Sequence, residues 1–162
     1  MVLCANVFFS CSHPNTELQY SENFGLILKT KADIIKVEGK PDSVYTIPYQ
    51  GIIMSYEKDK VTSTGIKYKR NVAYYFEYDG KPNSTTLVDT CYEIEIDEPL
   101  VNKDGWVDYF NKKYTQEKID SDGTDRNGSL GCEKEWDYSN RISICMTKQG
   151  QMLEIQMNVR KQ

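Results

Sequence analysis

The sequence predicts an α+β fold: two short helices packed on one face of a mostly antiparallel sheet, with helix-then-hairpin order occurring twice. Three observations lead there. Thr30 to Asp42, reading TKADIIKVEGKPD, carries the start, body and stop of a short helix. Two later stretches, 66–97 and 142–160, alternate apolar and polar residues on either side of a turn, as half-buried antiparallel strands do. Twelve tyrosines within 12% aromatic residues suit a pleated surface with one wet face. At 162 residues the chain is long enough to bury a genuine core in one domain.

In chain order, Val2 to Phe9 are almost wholly apolar and run into Ser10-Cys11, followed by the polar Ser12-His13-Pro14-Asn15-Thr16. A short apolar core ending in a small residue and then cysteine looks like a bacterial lipoprotein signal, in which the cysteine is lipidated. This reading divides the chain into a signal at 1–10, a lipid-bearing Cys11 with a polar tether at 11–22, and one α+β domain at 23–162. Ser12 after that cysteine resembles the outer-membrane sorting pattern, which implies an anchor facing the periplasm. A buried first strand is the competing reading, since an almost wholly apolar run of eight residues also suits that.

Within the domain, Thr30 is placed to cap the amide of Asp33 while Asp33 reaches back toward Thr30, a variant of the capping box. Ala32, Ile34, Ile35 and Val37 supply an apolar face. Gly39 can take a left-handed exit and Pro41 forbids continuation. Strands are expected at Val44 to Ile47 and Gly51 to Tyr56, with Glu57-Lys58-Asp59-Lys60 as a polar turn. From Ile66, the residues Tyr68, Val72, Tyr74, Phe76 and Tyr78 share one face, interrupted by Arg70. Asp79-Gly80-Lys81-Pro82-Asn83 is a turn, and Thr85 to Asp97 returns with Ile94 and Ile96 on one side and Cys91, Glu93 and Glu95 on the other. Trp106, Val107, Phe110 and Tyr114 are spaced for a second helix with Asp104 as its cap. Thr115 to Lys134 reads as a long polar loop. A second hairpin, Arg141 to Arg160, turns at Lys148-Gln149-Gly150.

Charge and composition exclude several functions. A net charge of −4 and a pI near 5.1 give none of the concentrated positive field that nucleic acid requires; Lys67, Lys69 and Arg70 read as a solvated strand face. No later apolar run is long enough to span a bilayer. The single histidine, His13, lies in the tether, so Ser-His-Asp and Cys-His nucleophile systems and histidine metal sites have no residue to build on. Asp120-Ser121-Asp122-Gly123-Thr124-Asp125 lacks an EF-hand register, and no cofactor or metal is expected.

Three groups are candidate sites. The acidic group Glu93, Glu95, Asp97 and Glu98 could supply paired carboxylates for acid–base work, Glu93 and Glu95 sharing a strand face at a spacing of ~7 Å; a solvated strand face is the competing reading. If export removes Cys4 and lipidates Cys11, three cysteines remain in the domain. A Cys91–Cys145 disulfide suits the shared polar face of two strands, with Cys132 the alternative partner for either. Tyr68, Tyr74, Tyr75 and Tyr78 form a concentrated aromatic strand suited to a binding surface.

The run Leu28, Thr30, Asp33-Ile34-Ile35, Gly39-Lys40-Pro41-Asp42, followed by strands with Tyr56 and Tyr74-Tyr75, resembles the pattern of the BamE (SmpA/OmlA)/BLIP-like superfamily. That resemblance implies a small exported protein that acts through its surface, as an accessory subunit of outer-membrane assembly or as a protein inhibitor. The expectation is therefore a lipid-anchored cell-envelope protein serving as a non-catalytic interaction or scaffold module for a protein partner, with membrane contact through the lipid and no nucleic acid. An inhibitor or immunity-type binder is the alternative, and a small hydrolase using Glu93 and Glu95 a more distant one.

Overall fold

A computed structural model describes residues 24–48, 50–62, 64–78, 88–117 and 132–159. The signal, Cys11, the tether with His13, the turn at Asp79 to Asn83 and the loop around Asp120 to Gly128 lie outside the described residues. A 3-10 turn at Phe24–Leu26 leads into helix α1 (Lys31–Glu38) and four strands, β1 (Ser43–Ile47), β2 (Gly51–Val61), β3 (Lys67–Glu77) and β4 (Glu93–Pro99). A second 3-10 turn at Leu100–Asn102 opens α2 (Lys103–Lys113), which precedes β5 (Thr115–Glu117), β6 (Lys134–Ser139), β7 (Ile142–Gln149) and β8 (Met152–Val159). No helix among the described residues is long and apolar enough to cross a membrane.

The expected plan, a helix-then-hairpin unit used twice with two helices packed on the sheet, is not the one adopted. Strands dominate. They join one eight-stranded sheet in the order β1-β2-β3-β4-β8-β7-β6-β5, and every pairing is antiparallel. Four strands, not a hairpin, follow α1, and α1 contributes only Ile34 to the core while Ile35 and Val37 stay exposed. Glu57 to Lys60, read as a turn, continues β2, because it pairs with Tyr68 to Asn71 of β3. In the segment read as a long loop, β5 adds the edge strand and β6 begins at Lys134. The two halves meet where β4 pairs β8, from Glu93↔Asn158 to Pro99↔Met152.

The local chemistry of α1 follows its sequence. Thr30 Oγ1 accepts from the Asp33 amide at 3.1 Å, and the Asp33 carboxylate accepts from the Thr30 amide at 3.4 Å, a complete capping box. Gly39 leaves the helix at φ +87°, which favours glycine. Helix α2 begins after Asn102, not under an Asp104 cap, and no side chain caps it. Its weight comes from packing instead. Trp106, Tyr109 and Phe110 are buried, and the Phe110 ring lies 5.3 Å from Trp106 and 4.9 Å from Trp136 of β6. Such ring pairs are each worth ~0.5–1.5 kcal/mol beyond the apolar area they bury.

One face of the sheet is the core. Met54 and Tyr56 of β2, Val72, Tyr74 and Phe76 of β3, Ile94 and Ile96 of β4, Leu153, Ile155 and Met157 of β8 and Ile144 of β7 are buried there together with Ile34, Trp106 and Phe110 from the helices. At one end of this face sits a fully buried ion pair between Arg70 and Glu98. Tyr68 donates its hydroxyl to Glu98 at 2.8 Å, Asn102 donates to the same carboxylate at 2.6 Å, and the Arg70 guanidinium lies 5.1 Å over the Trp106 ring. The basic strand face expected at 67–70 is therefore split. Lys69 points to solvent and pairs with Asp59 at 3.0 Å, whereas Arg70 points into the core.

Candidate functional site

The opposite face of the sheet carries the candidate site. Register fixes which residues share it. One row runs Tyr45, Ile53, Tyr75, Glu93, Asn158, Ser143, Asp137 across seven strands; the next runs Ser43, Ser55, Ala73, Glu95, Gln156, Cys145, Glu135; a third runs Glu57, Asn71, Asp97, Glu154, Thr147. Neither helix lies on this face, since both send their buried residues into the core on the other side. Toward β6 and β7 it is closed, with Glu135, Ser143 and Cys145 buried. Over β2, β3, β4 and β8 most of its side chains are half-buried, Ala73 being buried, and among the described residues no helix or strand lies over them.

Every charged residue in these three rows is acidic. Glu93, Glu95 and Asp97 form a column along β4, spaced ~6.8 Å apart, with Glu154 on the neighbouring strand ~5 Å away. Carboxylate oxygens of Glu95, Asp97 and Glu154 all lie within 4.8 Å of one another. Partial burial and mutual repulsion make the charged forms expensive. Glu93 is pushed up to about 7 by burial and then by the charges of Glu95 and Glu154. Glu154 is likewise pushed up to about 7, by burial and then by Glu95 and Asp97. Burial raises Glu95 as well, partly offset by its hydrogen bond from Tyr75. No lysine or arginine among the described residues enters these balances.

Hydrogen-bond donors hold the carboxylates in place. Tyr75 donates to Glu95 at 3.0 Å, Asn71 to Asp97 at 3.1 Å, and Gln156 to Glu154 at 2.6 Å, with Gln149 donating to the other Glu154 oxygen. Glu95, Asp97 and Glu154 are the residues with the reach to hold a cation. Their lone pairs are already partly committed to these donors, which suits hydrogen bonding to an organic cation better than the six to eight oxygens a calcium ion takes.

The structure sorts the residues singled out in the sequence. Of the four tyrosines, Tyr75 alone lies in these rows. Tyr74 is fully buried in the core, where it donates to Glu38 at 2.7 Å. Tyr68 serves the Arg70–Glu98 pair, and Tyr78 is half-buried just beyond β3, its amide bonded to Gln50. The alternation of 66–78 is real, but the tyrosine-rich side faces inward. Glu93 and Glu95 do share the polar face, though half-buried instead of fully solvated. Glu154 joins them from a strand some 60 residues later; its place in the polar alternation of β8 was visible, its neighbours were not.

The cysteines also sort differently from the preferred pairing. Cys145 is bonded to Cys132, its Cα 5.7 Å away, not to Cys91. Cys91 precedes β4, turns inward and is fully buried, its Sγ donating to the Glu93 carbonyl at 3.0 Å. Burial pushes its thiol up to about 12, so it is unreactive at neutral pH.

In comparison with known proteins, the chain matches no protein-family model, no curated sequence and no solved structure.

Proposed function

We propose that this chain is a non-catalytic protein-binding module, held at the bacterial envelope through a lipidated Cys11, and that the open sheet face is its contact surface. The observation that carries the reading is the face itself. Across β2, β3, β4 and β8 it presents half-buried carboxylates, amides, hydroxyls and the Tyr75 ring, positioned by the register of a rigid sheet. A partner would complete the burial that these groups have begun. The lipobox-like start and the resemblance of Thr30 to Asp42 to the BamE/BLIP-like pattern support the envelope address. An inhibitor or immunity-type role would use the same surface.

Chemical crosslinking of the native envelope, followed by purification of the full chain and intact-mass measurement, tests both parts. The expected result is a lipid-bearing mass beginning at Cys11 and a crosslinked protein partner. A mass that retains Met1 to Ser10 without lipid overturns the anchor, and recovery of the chain alone overturns the binding role.

A carboxylate hydrolase is the second reading, favoured by Glu95, Asp97 and Glu154, whose carboxylate oxygens lie within 4.8 Å of one another, with Glu154 pushed up to about 7 by burial as the group suited to a general acid. Under it, the purified protein turns over a glycoside or ester and Glu154→Gln abolishes that turnover.

A further inference from the structure

We propose that the occupant of the open face is a cationic polypeptide segment, rich in lysine or arginine at alternate positions of an extended backbone. This rests on the binding-module reading and names the chemistry of its partner. Four features carry it. The first is charge complementarity: among the described residues no lysine or arginine forms an ion pair with the column Glu93, Glu95, Asp97 or with Glu154 beside it, since Lys69, farther along the same face of β3, is engaged by Asp59 and Glu57. Bringing a basic surface there steers encounter and removes the repulsion among the carboxylates.

The second feature is spacing. Successive carboxylates on β4 are two residues apart, so they repeat every ~6.8 Å, the same repeat at which an extended segment presents side chains on one side. The third is the hydrogen-bond inventory. Asn71, Gln156 and Tyr75 each already donate to one of these carboxylates, and the lone pairs that remain can accept from an ammonium or guanidinium, which brings its own donors. A calcium ion takes six to eight oxygens, and only Glu95, Asp97 and Glu154 bring theirs within 4.8 Å of one another. The fourth is the apolar rim. Tyr75 packs edge-on against Tyr92 at 6.4 Å, and Ile53 and Tyr45 continue its row toward the sheet edge. That rim can cover the aliphatic stems of lysine and arginine side chains while the charged heads reach the column.

The test uses the full chain and a synthetic eight-residue peptide of alternating threonine and lysine, with the same peptide carrying glutamate for lysine as control. Isothermal titration at two salt concentrations is expected to show binding of the lysine peptide only, weakening as salt rises. Glu93→Gln with Glu154→Gln is expected to weaken it about tenfold, while circular dichroism stays native. Substituting the exposed Lys112 on α2 with Gln is expected to leave it unchanged.

Three results overturn the proposal: no binding of the lysine peptide, equal binding of the glutamate peptide, or binding that the double substitution leaves intact. Magnesium, calcium and spermidine are titrated in parallel, and saturation of the face by any of them at lower concentration than the peptide also overturns it. A photo-crosslinker at Gln156 separates this inference from the reading beneath it. Capture of a partner whose contacting segment is not basic overturns the cationic occupant alone, whereas absence of any capture overturns the binding role.

Discussion

Stability of this protein should fall as pH rises from 5 to 8, and the double substitution Glu93→Gln with Glu154→Gln should abolish most of that fall. Each carboxyl has an ordinary value of 4.5 and a folded value of about 7. The folded state therefore holds protons that the unfolded state has already released across this window. Linkage then gives a negative slope: stability is fully present below the unfolded value and is lost as pH climbs through the folded one. For Glu93 the rise corresponds to about 3 kcal/mol at ~1.4 kcal/mol per pKa unit. Glu154 is more open to solvent, so screening reduces its share to roughly 1 kcal/mol. The two are coupled through Glu95, which makes a total of about 3–4 kcal/mol the appropriate expectation. For a chain of this length that corresponds to a drop in Tm of roughly 10 °C. Thermal unfolding followed by circular dichroism at pH 5, 6, 7 and 8 measures it. The parent should lose stability across the series while the double variant stays nearly flat, and the variant should be the more stable of the two at pH 8. A parent Tm that is constant or rises with pH, or a variant with the parent's slope, would refute the idea that burial, reinforced by mutual repulsion, keeps these carboxyls protonated in the folded state.

Three further outcomes follow from the fold. Arg70→Met leaves Glu98 buried without its cation and should cost about 3–5 kcal/mol in urea unfolding, whereas Arg70→Met combined with Glu98→Leu should recover much of that loss; equal cost for single and double variants would show that the pair is not coupled. Non-reducing peptide mapping should find Cys132 joined to Cys145 and Cys91 as the protected thiol, and replacing both bridged cysteines with serine should cost about 3 kcal/mol for a closed loop of this length. Gly51→Ala should destabilise by about 3 kcal/mol or more, because its backbone sits at φ +152° and an added Cβ would overlap the Phe76 carbonyl oxygen on β3; a variant with the parent's urea midpoint would contradict the tight β2–β3 approach.

What the sequence makes legible here is local, and what it hides is long-range. Thr30, Asp33 and Gly39 announce α1 because capping and exit act within a few residues. The β7–β8 hairpin is legible for the same reason, its two alternating runs being joined by a short turn. Sheet order is not local. Nothing in residues 93–99 says that their second neighbour is residues 152–159, so Glu154 could not be placed beside Asp97 from pattern alone. The inward-facing tyrosines failed for a related reason. Tyrosine is amphipathic, and alternation shows that Tyr74 and Tyr75 point opposite ways without showing which side the helices will cover. Arg70 on that side looked like an interruption. It is instead a buried charge made tolerable by Glu98, 28 residues later in the chain. Glu57 to Lys60 read as a turn because charges favour loops, yet each is accommodated in β2: Lys58 pairs with Glu38 at 3.1 Å, and Asp59 with Lys69. The cysteine pairing depended on Cys91 lying in a strand. It precedes β4 by two residues, and that small offset turns its side chain into the core.

Site-specific photo-crosslinking in the native host cell tests the central claim most directly. The same crosslinking residue is placed at Gln156 or Asn158 on the open face, and at Lys112 on the exposed side of α2, in otherwise unchanged full-length chain. A discrete protein adduct is expected from both open-face positions and none from position 112. Adducts from position 112 with none from 156 and 158 would contradict it, and would move the binding surface to the helical side of the sheet.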